Sequence, residues 1–87
     1  MWAVYILQCR DLTLYTGITN NLPKRLNMHE SGHAAKYTKG RGPFELVYKE
    51  SLENRSMSTK RESEIKKLTK EDKKKLIELY RNALRNT

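Results

Sequence analysis

WAVYILQCRDLTLYTGIT, residues 2–19, decides the fold. WAVYIL at 2–7 is apolar on both alternating faces, with Trp2, Val4 and Ile6 pointing one way and Ala3, Tyr5 and Leu7 the other. A strand of that kind suits a position covered on both sides. RDLT at 10–13 is polar enough to turn, with Asp11 as the turn residue. LYTG at 14–17 reads as a second, short strand that Gly17 ends. Tyr5 and Tyr15 stand ten positions apart, which fits a hairpin. Their rings then share one face of adjacent strands, depending on the turn type.

Helix punctuation follows in NNLPKRLNMHESG at 20–32. Asn20 or Asn21 supplies the cap, Pro23 fits the first turn and Gly32 can end the helix. Arg25 and His29 are four apart and share a face. HAAKYTKGRGP at 33–43 reads as an exposed basic loop with Tyr37 among its cations. FELVYKE at 44–50 sets Phe44, Leu46 and Tyr48 against Glu45, Val47 and Lys49, a third strand with one more polar face. From Ser56 to Arg85 the chain is helical in character. Thr59 with Glu62 has the form of a capping box, with Ser56 as an earlier start, and Met57, Ile65 and Leu68 make an apolar stripe. Thr69 with Asp72 opens a last helix over about 70–85 that buries Leu76, Leu79, Tyr80 and Ala83. The order β-β-α-β-α-α predicts an α+β domain, a small sheet covered by helices.

The 87 residues are expected to form one domain, 1–87. A chain this short builds a modest core, so a shallow surface site is easier to house than a deep pocket. Its 18 Lys and Arg face 10 Asp and Glu, a formal net charge of +8. The excess is spread along the chain, with eight basic and five acidic residues in 1–57 and ten and five in 58–87. Such a charge favours polyanions through phosphate contacts and counterion release, so a nucleic-acid partner is expected. No helix pairs a wide aromatic face with a purely basic one, which argues against a membrane surface. Cys9 is the single cysteine, excluding a disulfide framework and a thiolate metal cluster. No apolar run approaches the ~18 residues of a membrane span, and the N-terminus lacks the pattern of a signal peptide. The expected compartment is the cytoplasm. Oligomeric state has no signature in the sequence.

Five polar side chains on this framework form a plausible phosphodiesterase set: Tyr5, Tyr15, Arg25, His29 and Glu62. Glu62 lies about 60° from Ile65 on a helical wheel, at the edge of the buried face. A single carboxylate can anchor a Mg²⁺ that keeps most of its waters and takes a phosphate oxygen as a further ligand. Arg25 can grip phosphate with two prongs. A tyrosine acts as a general base only if its pKa falls well below ~10. His29 can move protons or bind phosphate. Taken singly, each has a simpler reading: core aromatics, a solvated histidine and arginine, and a capping carboxylate.

Together, AVY at 3–5, YTG at 15–17, Arg25, His29 and Glu62 in KRESEIKKL at 60–68 resemble the GIY-YIG nuclease domain. The resemblance runs from about residue 2 to 77, and is strongest to the small stand-alone bacterial members (YhbQ-type), through YTGITN, AKYTKGRGP and ELVYKE. It implies a three-stranded antiparallel sheet flanked by helices, and metal-dependent cleavage of DNA, in repair or recombination. It implies catalytic roles for Tyr5, Tyr15, Arg25, His29 and Glu62, with Mg²⁺ or Mn²⁺ held at Glu62. Tyr15 is the expected base and Tyr5 the residue orienting water or phosphate, though the reverse assignment is open. Position 18 is Ile where the family's excision-repair nucleases carry a lysine, and KKLTKEDKKKLI at 66–77 lacks the asparagine of many relatives. Well-studied relatives also join this domain to a separate DNA-binding domain. Here Lys24, Lys36, Tyr37, Lys39, Arg41 and the helical lysines are expected to hold the nucleic acid, with a partner protein supplying target choice. These departures motivate two alternatives: a basic nucleic-acid-binding module with little or no turnover, and an interaction unit of a repair complex.

Overall fold

The computed structural model describes residues 1–85. The expected domain runs to Thr87, and its last two residues lie outside the described residues. Three strands, β1 (Trp2–Gln8), β2 (Leu14–Thr19) and β3 (Glu45–Leu52), and three helices, α1 (Leu22–Glu30), α2 (Arg55–Lys66) and α3 (Lys70–Arg85), follow in the order β-β-α-β-α-α. The sheet is antiparallel with β1 in the centre, between β2 and β3. That place explains why β1 is apolar on both faces: Val4, Tyr5, Ile6 and Leu7 are all buried.

One face of the sheet carries the main core. Val4 and Ile6 of β1 and Val47 and Tyr48 of β3 pack with Ile65 of α2 and Ile77 of α3, with Leu14, Ile18, Leu76 and Tyr80 around them. The other face holds Tyr5 and Tyr15, covered from α1 by His29.

Four details differ from the sequence expectation, each for a local reason. Gly17 does not end β2: it lies inside the strand, paired with Tyr5, and the strand runs on to Thr19. β3 does not alternate cleanly. Its register shifts between Ile6 and Leu7, whose partners are Tyr48 and Leu46, so Val47 is the extra residue of a bulge and is buried beside Tyr48.

The third difference concerns α2. Asn54 caps it, with its side chain accepting from Met57 N at 2.9 Å, and Thr59 and Glu62 lie in the helix interior. The apparent capping box is therefore not a cap, and the Glu62 carboxylate has no backbone task at the helix start. Met57, expected in the apolar stripe, lies in the first turn of α2 and is 45% exposed. Finally, α3 opens as expected, with Asp72 N donating to Thr69 Oγ1, but its buried stripe is Leu76, Ile77 and Tyr80. Leu79 and Ala83 are exposed, since α3 packs on the sheet, chiefly at β3, through one narrow face.

Candidate active site

Cross-strand pairing sets the site's floor. Tyr5 faces Gly17, and Leu7 faces Tyr15, so the two tyrosines are diagonal neighbours on one face of the hairpin. Their ring centroids lie 6.4 Å apart. The Tyr5 ring crosses directly over Gly17: a methyl group there would stand 2.7 Å from the Tyr5 Oη and 2.8 Å from its Cζ. Glycine is the residue that lets the first ring lie flat against the second strand.

Helix α1 brings His29 onto both rings. Asn21 caps the helix through Lys24 N, Pro23 fits its first turn, and the chain leaves through Gly32 at φ +81°. His29 is 1% exposed, where a solvated surface histidine was the simpler sequence reading. Its ring meets those of Tyr5, Tyr15 and Phe44 edge to face, at 5.7, 5.2 and 5.9 Å. Tyr5 Oη lies 2.7 Å from His29 Nε2, and Thr38 Oγ1 lies 2.9 Å from Nδ1.

Thr38 settles the direction of this chain. Its hydroxyl donates to the Ala35 carbonyl at 3.1 Å, so toward His29 it can only accept. Nδ1 therefore bears the proton, Nε2 accepts, and the Tyr5 hydroxyl donates to His29. The Thr38 side chain is fully buried although its loop is otherwise open. Sequence reasoning missed it, because a threonine among lysines and glycines has no periodicity to mark it.

The electrostatics draw in Arg25 and Glu62. Burial pushes the Tyr5 hydroxyl well above its ordinary range; Tyr15 and Glu62 add to that, and Arg25 opposes it. Tyr15 is raised as well, by burial first and then by Glu62, again against Arg25. His29 is lowered by burial and by Arg25. Both phenols are thus protonated and the imidazole neutral near pH 7. Among the described residues the Tyr15 hydroxyl has no hydrogen-bond partner, and its side chain is half-buried, so it is the phenol open to an incoming molecule.

Glu62 keeps a 21% exposed side chain, with Lys66 Nζ 3.6 Å from its Oε2. Next to it, Arg61 Nε donates to Glu50 Oε1 at 2.8 Å, and Tyr48 Oη donates to the same oxygen, which ties α2 to β3. Among the described residues no group of three His, Cys, Asp or Glu side chains converges to enclose a metal. One solvent-facing carboxylate suits a hard divalent cation that keeps most of its waters, and not a closed zinc cage.

The residues expected to hold nucleic acid divide. Tyr37 stacks on Tyr15 with centroids 5.9 Å apart, and the Arg41 guanidinium lies 4.6 Å from the Tyr37 ring centre. Arg41 is also bonded to Asp11 in the β1–β2 turn, so it fastens the loop as well as adding charge. Lys39 borders a hollow with His29 and Gly42. Lys24 and Lys36 are exposed and form no ion pair among the described residues.

A small antiparallel sheet with two tyrosines diagonal on its hairpin, a buried histidine between them and a helical glutamate at the border is a defined class. The sequence model described as the GIY-YIG catalytic domain matches residues 1–76, and the chain belongs to the GIY-YIG family. It is 57% identical over 75 residues to a UPF0213 protein of Oceanobacillus iheyensis, covering 86% of this chain and 87% of that one. The fold resembles the solution NMR structure of a UPF0213 protein from Bacillus halodurans, with TM-score 0.59, 41% identity and coverage of 91% and 85%. A second solution NMR structure, of a protein from E. faecalis, gives TM-score 0.62, 36% identity and coverage of 91% and 84%.

Proposed function

We propose that the protein is a divalent-metal-dependent endonuclease that hydrolyses phosphodiester bonds of DNA. The observation that carries this reading is the convergence of two phenols and a neutral imidazole under the opposed influence of Arg25 and Glu62. Family membership supports the reaction class.

Tyr15, whose hydroxyl has no partner among the described residues, is the residue that meets the attacking water and, in its phenolate form, takes the water's proton. Arg25 holds phosphate oxygens in a two-pronged contact and counters the charge that grows on them. Tyr5 donates to His29 and keeps the imidazole turned with Nε2 toward the phenols. His29, held neutral, is the proton acceptor that remains once a phenol has given up its own. Glu62 would hold the Mg²⁺ or Mn²⁺. When bound, that ion supplies Lewis acidity at the phosphate and a positive charge that offsets the upward push of Glu62 on Tyr15. A role in repair or recombination, with a partner protein supplying target choice, extends the same reading.

The test is nicking of plasmid and branched DNA with and without Mg²⁺ or Mn²⁺. Cleavage is expected to disappear in Glu62→Ala and in Tyr15→Phe. Full activity in both variants would mean a contaminating enzyme and would remove the assignment. One observation favours a second reading, a basic module that binds nucleic acid without cutting it: burial pushes both phenols upward, and Arg25 only opposes that push. That reading expects salt-sensitive binding, little changed by Glu62→Ala, and no cleavage with any metal.

A further inference from the structure

We infer that a groove leading away from Tyr15 along α3 is the track for an unpaired nucleic-acid strand, with its phosphates on Lys70, Lys73 and Lys74. This rests on the nucleic-acid reading above and names the path of that substrate. The loop residues 33–43 do not form this track apart from Tyr37.

Three adjoining hollows make up the groove. The first, about 280 Å³, starts at Tyr15, Tyr37 and Lys66 and crosses the outer edge of β2 at Leu14 to reach Lys73. The second, about 510 Å³, shares Leu14 and Lys73 with it and continues past Leu12 and Lys70. The third, about 360 Å³, shares Leu12, Leu14 and Lys70 with the second and ends between Ile77 and Arg81. At its head, Lys66 is the residue whose ammonium lies 3.6 Å from Glu62, so the groove opens at the border of the candidate site.

Its walls differ in kind. Leu12 is 70% exposed and sits at φ +69°, a backbone region that a branched apolar residue rarely adopts, so the turn holds an apolar side chain out over the groove. Leu14 and Ile77 continue that floor. On the helix side, Lys70, Lys73 and Lys74 form no ion pair among the described residues, whereas Arg41, Arg61, Lys66 and Arg81 all do. Positions i, i+3 and i+4 lie together on one face, where like charges repel. A polyanion relieves that repulsion. Of the acidic residues bordering the groove, Asp11 is held by Arg41, and Glu78 stands at the far end.

An apolar floor beside a cationic wall matches a single strand better than a duplex. An unpaired strand offers base faces to leucines on one side and phosphates to lysines on the other, while a duplex hides its base faces. Aromatic entry at Tyr37 follows the same logic. The stretch of α3 from Lys70 to Arg81 is about 16 Å long, at about 1.5 Å per residue.

The experiment measures binding apart from cleavage. Full-length Glu62→Gln protein, kept in chelator, is titrated with oligothymidylate of about eight nucleotides, within the span of small single-strand sites. In this background Lys70, Lys73 and Lys74 are changed together to Ala, which favours helix, so the fold is retained. The slope of log affinity against log salt should become shallower by about 2, at about 0.7 per phosphate neutralised. A control with Lys60, Lys67 and Lys75 changed to Ala loses the same charge outside the groove and should keep most of its slope. Amide resonances of residues 12–16 and 70–81 should shift on titration, and those of the α2 face around Lys60 should not.

Equal slope losses in the two triple variants, or shifts confined to the 33–43 loop, would overturn the groove. Tighter binding of duplex than of single strand, with the same groove dependence, would overturn the unpaired strand as its occupant. If the unmodified protein cuts DNA while the groove variant keeps its slope, the groove fails and the nuclease stands. If the slope falls but no metal supports cleavage, the groove stands and the nuclease fails.

Discussion

A methyl group is the smallest change that can be asked of Gly17. Its β-carbon would collide with the Tyr5 ring and stand 3.0 Å from Tyr15 Cε2. Tyr5 cannot swing aside without breaking its 2.7 Å bond to His29. Gly17→Ala is expected to cost about 1–3 kcal/mol, the usual range for overpacking, read as a lower urea midpoint. An unchanged midpoint would show that the Tyr5 ring yields freely. Thr38→Val tests the other end of the chain. It keeps the volume and removes the acceptor for His29 Nδ1–H, leaving a buried donor unpaired at a cost of about 1–3 kcal/mol. His29 also sets an acid limit on stability. Folding lowers its pKa from the ordinary 6.5, so as pH falls the unfolded chain binds the proton first. This contribution is complete above 6.5 and is lost as pH falls from there through the lower folded value. Urea midpoints across that window should fall for the unmodified protein, and the fall should be smaller in His29→Gln.

At the scale of elements, α2 matters most because it carries Glu62. Its start depends on Asn54, and Asn54→Ala should cost about 1 kcal/mol of stability. Because Arg61 still holds Glu50, the fold should survive, and circular dichroism with urea titration separates the two effects. A loss under about 0.3 kcal/mol would mean that another group takes over Met57 N. Elements were legible in the sequence where one pattern stood alone. The first hairpin and α1 were, since β-rich runs, Asn21, Pro23 and Gly32 all agree. The start of α2 was not, because Thr59 and Glu62 imitate a capping box that the real cap at Asn54 makes unnecessary. The β3 bulge was invisible as well: a shift of register belongs to two strands, and the FELVYKE alternation describes only one. In the same way, the five candidate residues stood out by type and order, but nothing in one dimension shows His29 buried or Thr38 behind it.

For the molecule as a whole, the opposed charges around the phenols predict how activity responds to pH. If Tyr15 takes the proton, its raised pKa means that the reactive phenolate is scarce at neutrality. Initial cleavage rates should climb with pH through the neutral range, by up to about tenfold per unit. A rate independent of pH from neutrality upward would remove Tyr15 from that role. Charge separates by task at this scale too. Arg41, Arg61 and Arg81 tie loop, helix and strand together through Asp11, Glu50 and Glu45, while the lysines of α3 form no ion pair among the described residues. Much of the net charge of +8 is therefore not spent on holding the fold.

The central place of β1 has a consequence in time. As the chain is made, β1 can pair with β2 at once, but its other edge waits for residues 45–52, and Glu62 comes later still. Tyr5 and Tyr15 are therefore made well before the carboxylate, and a growing chain cannot bring the five proposed residues together until position 62 has been added.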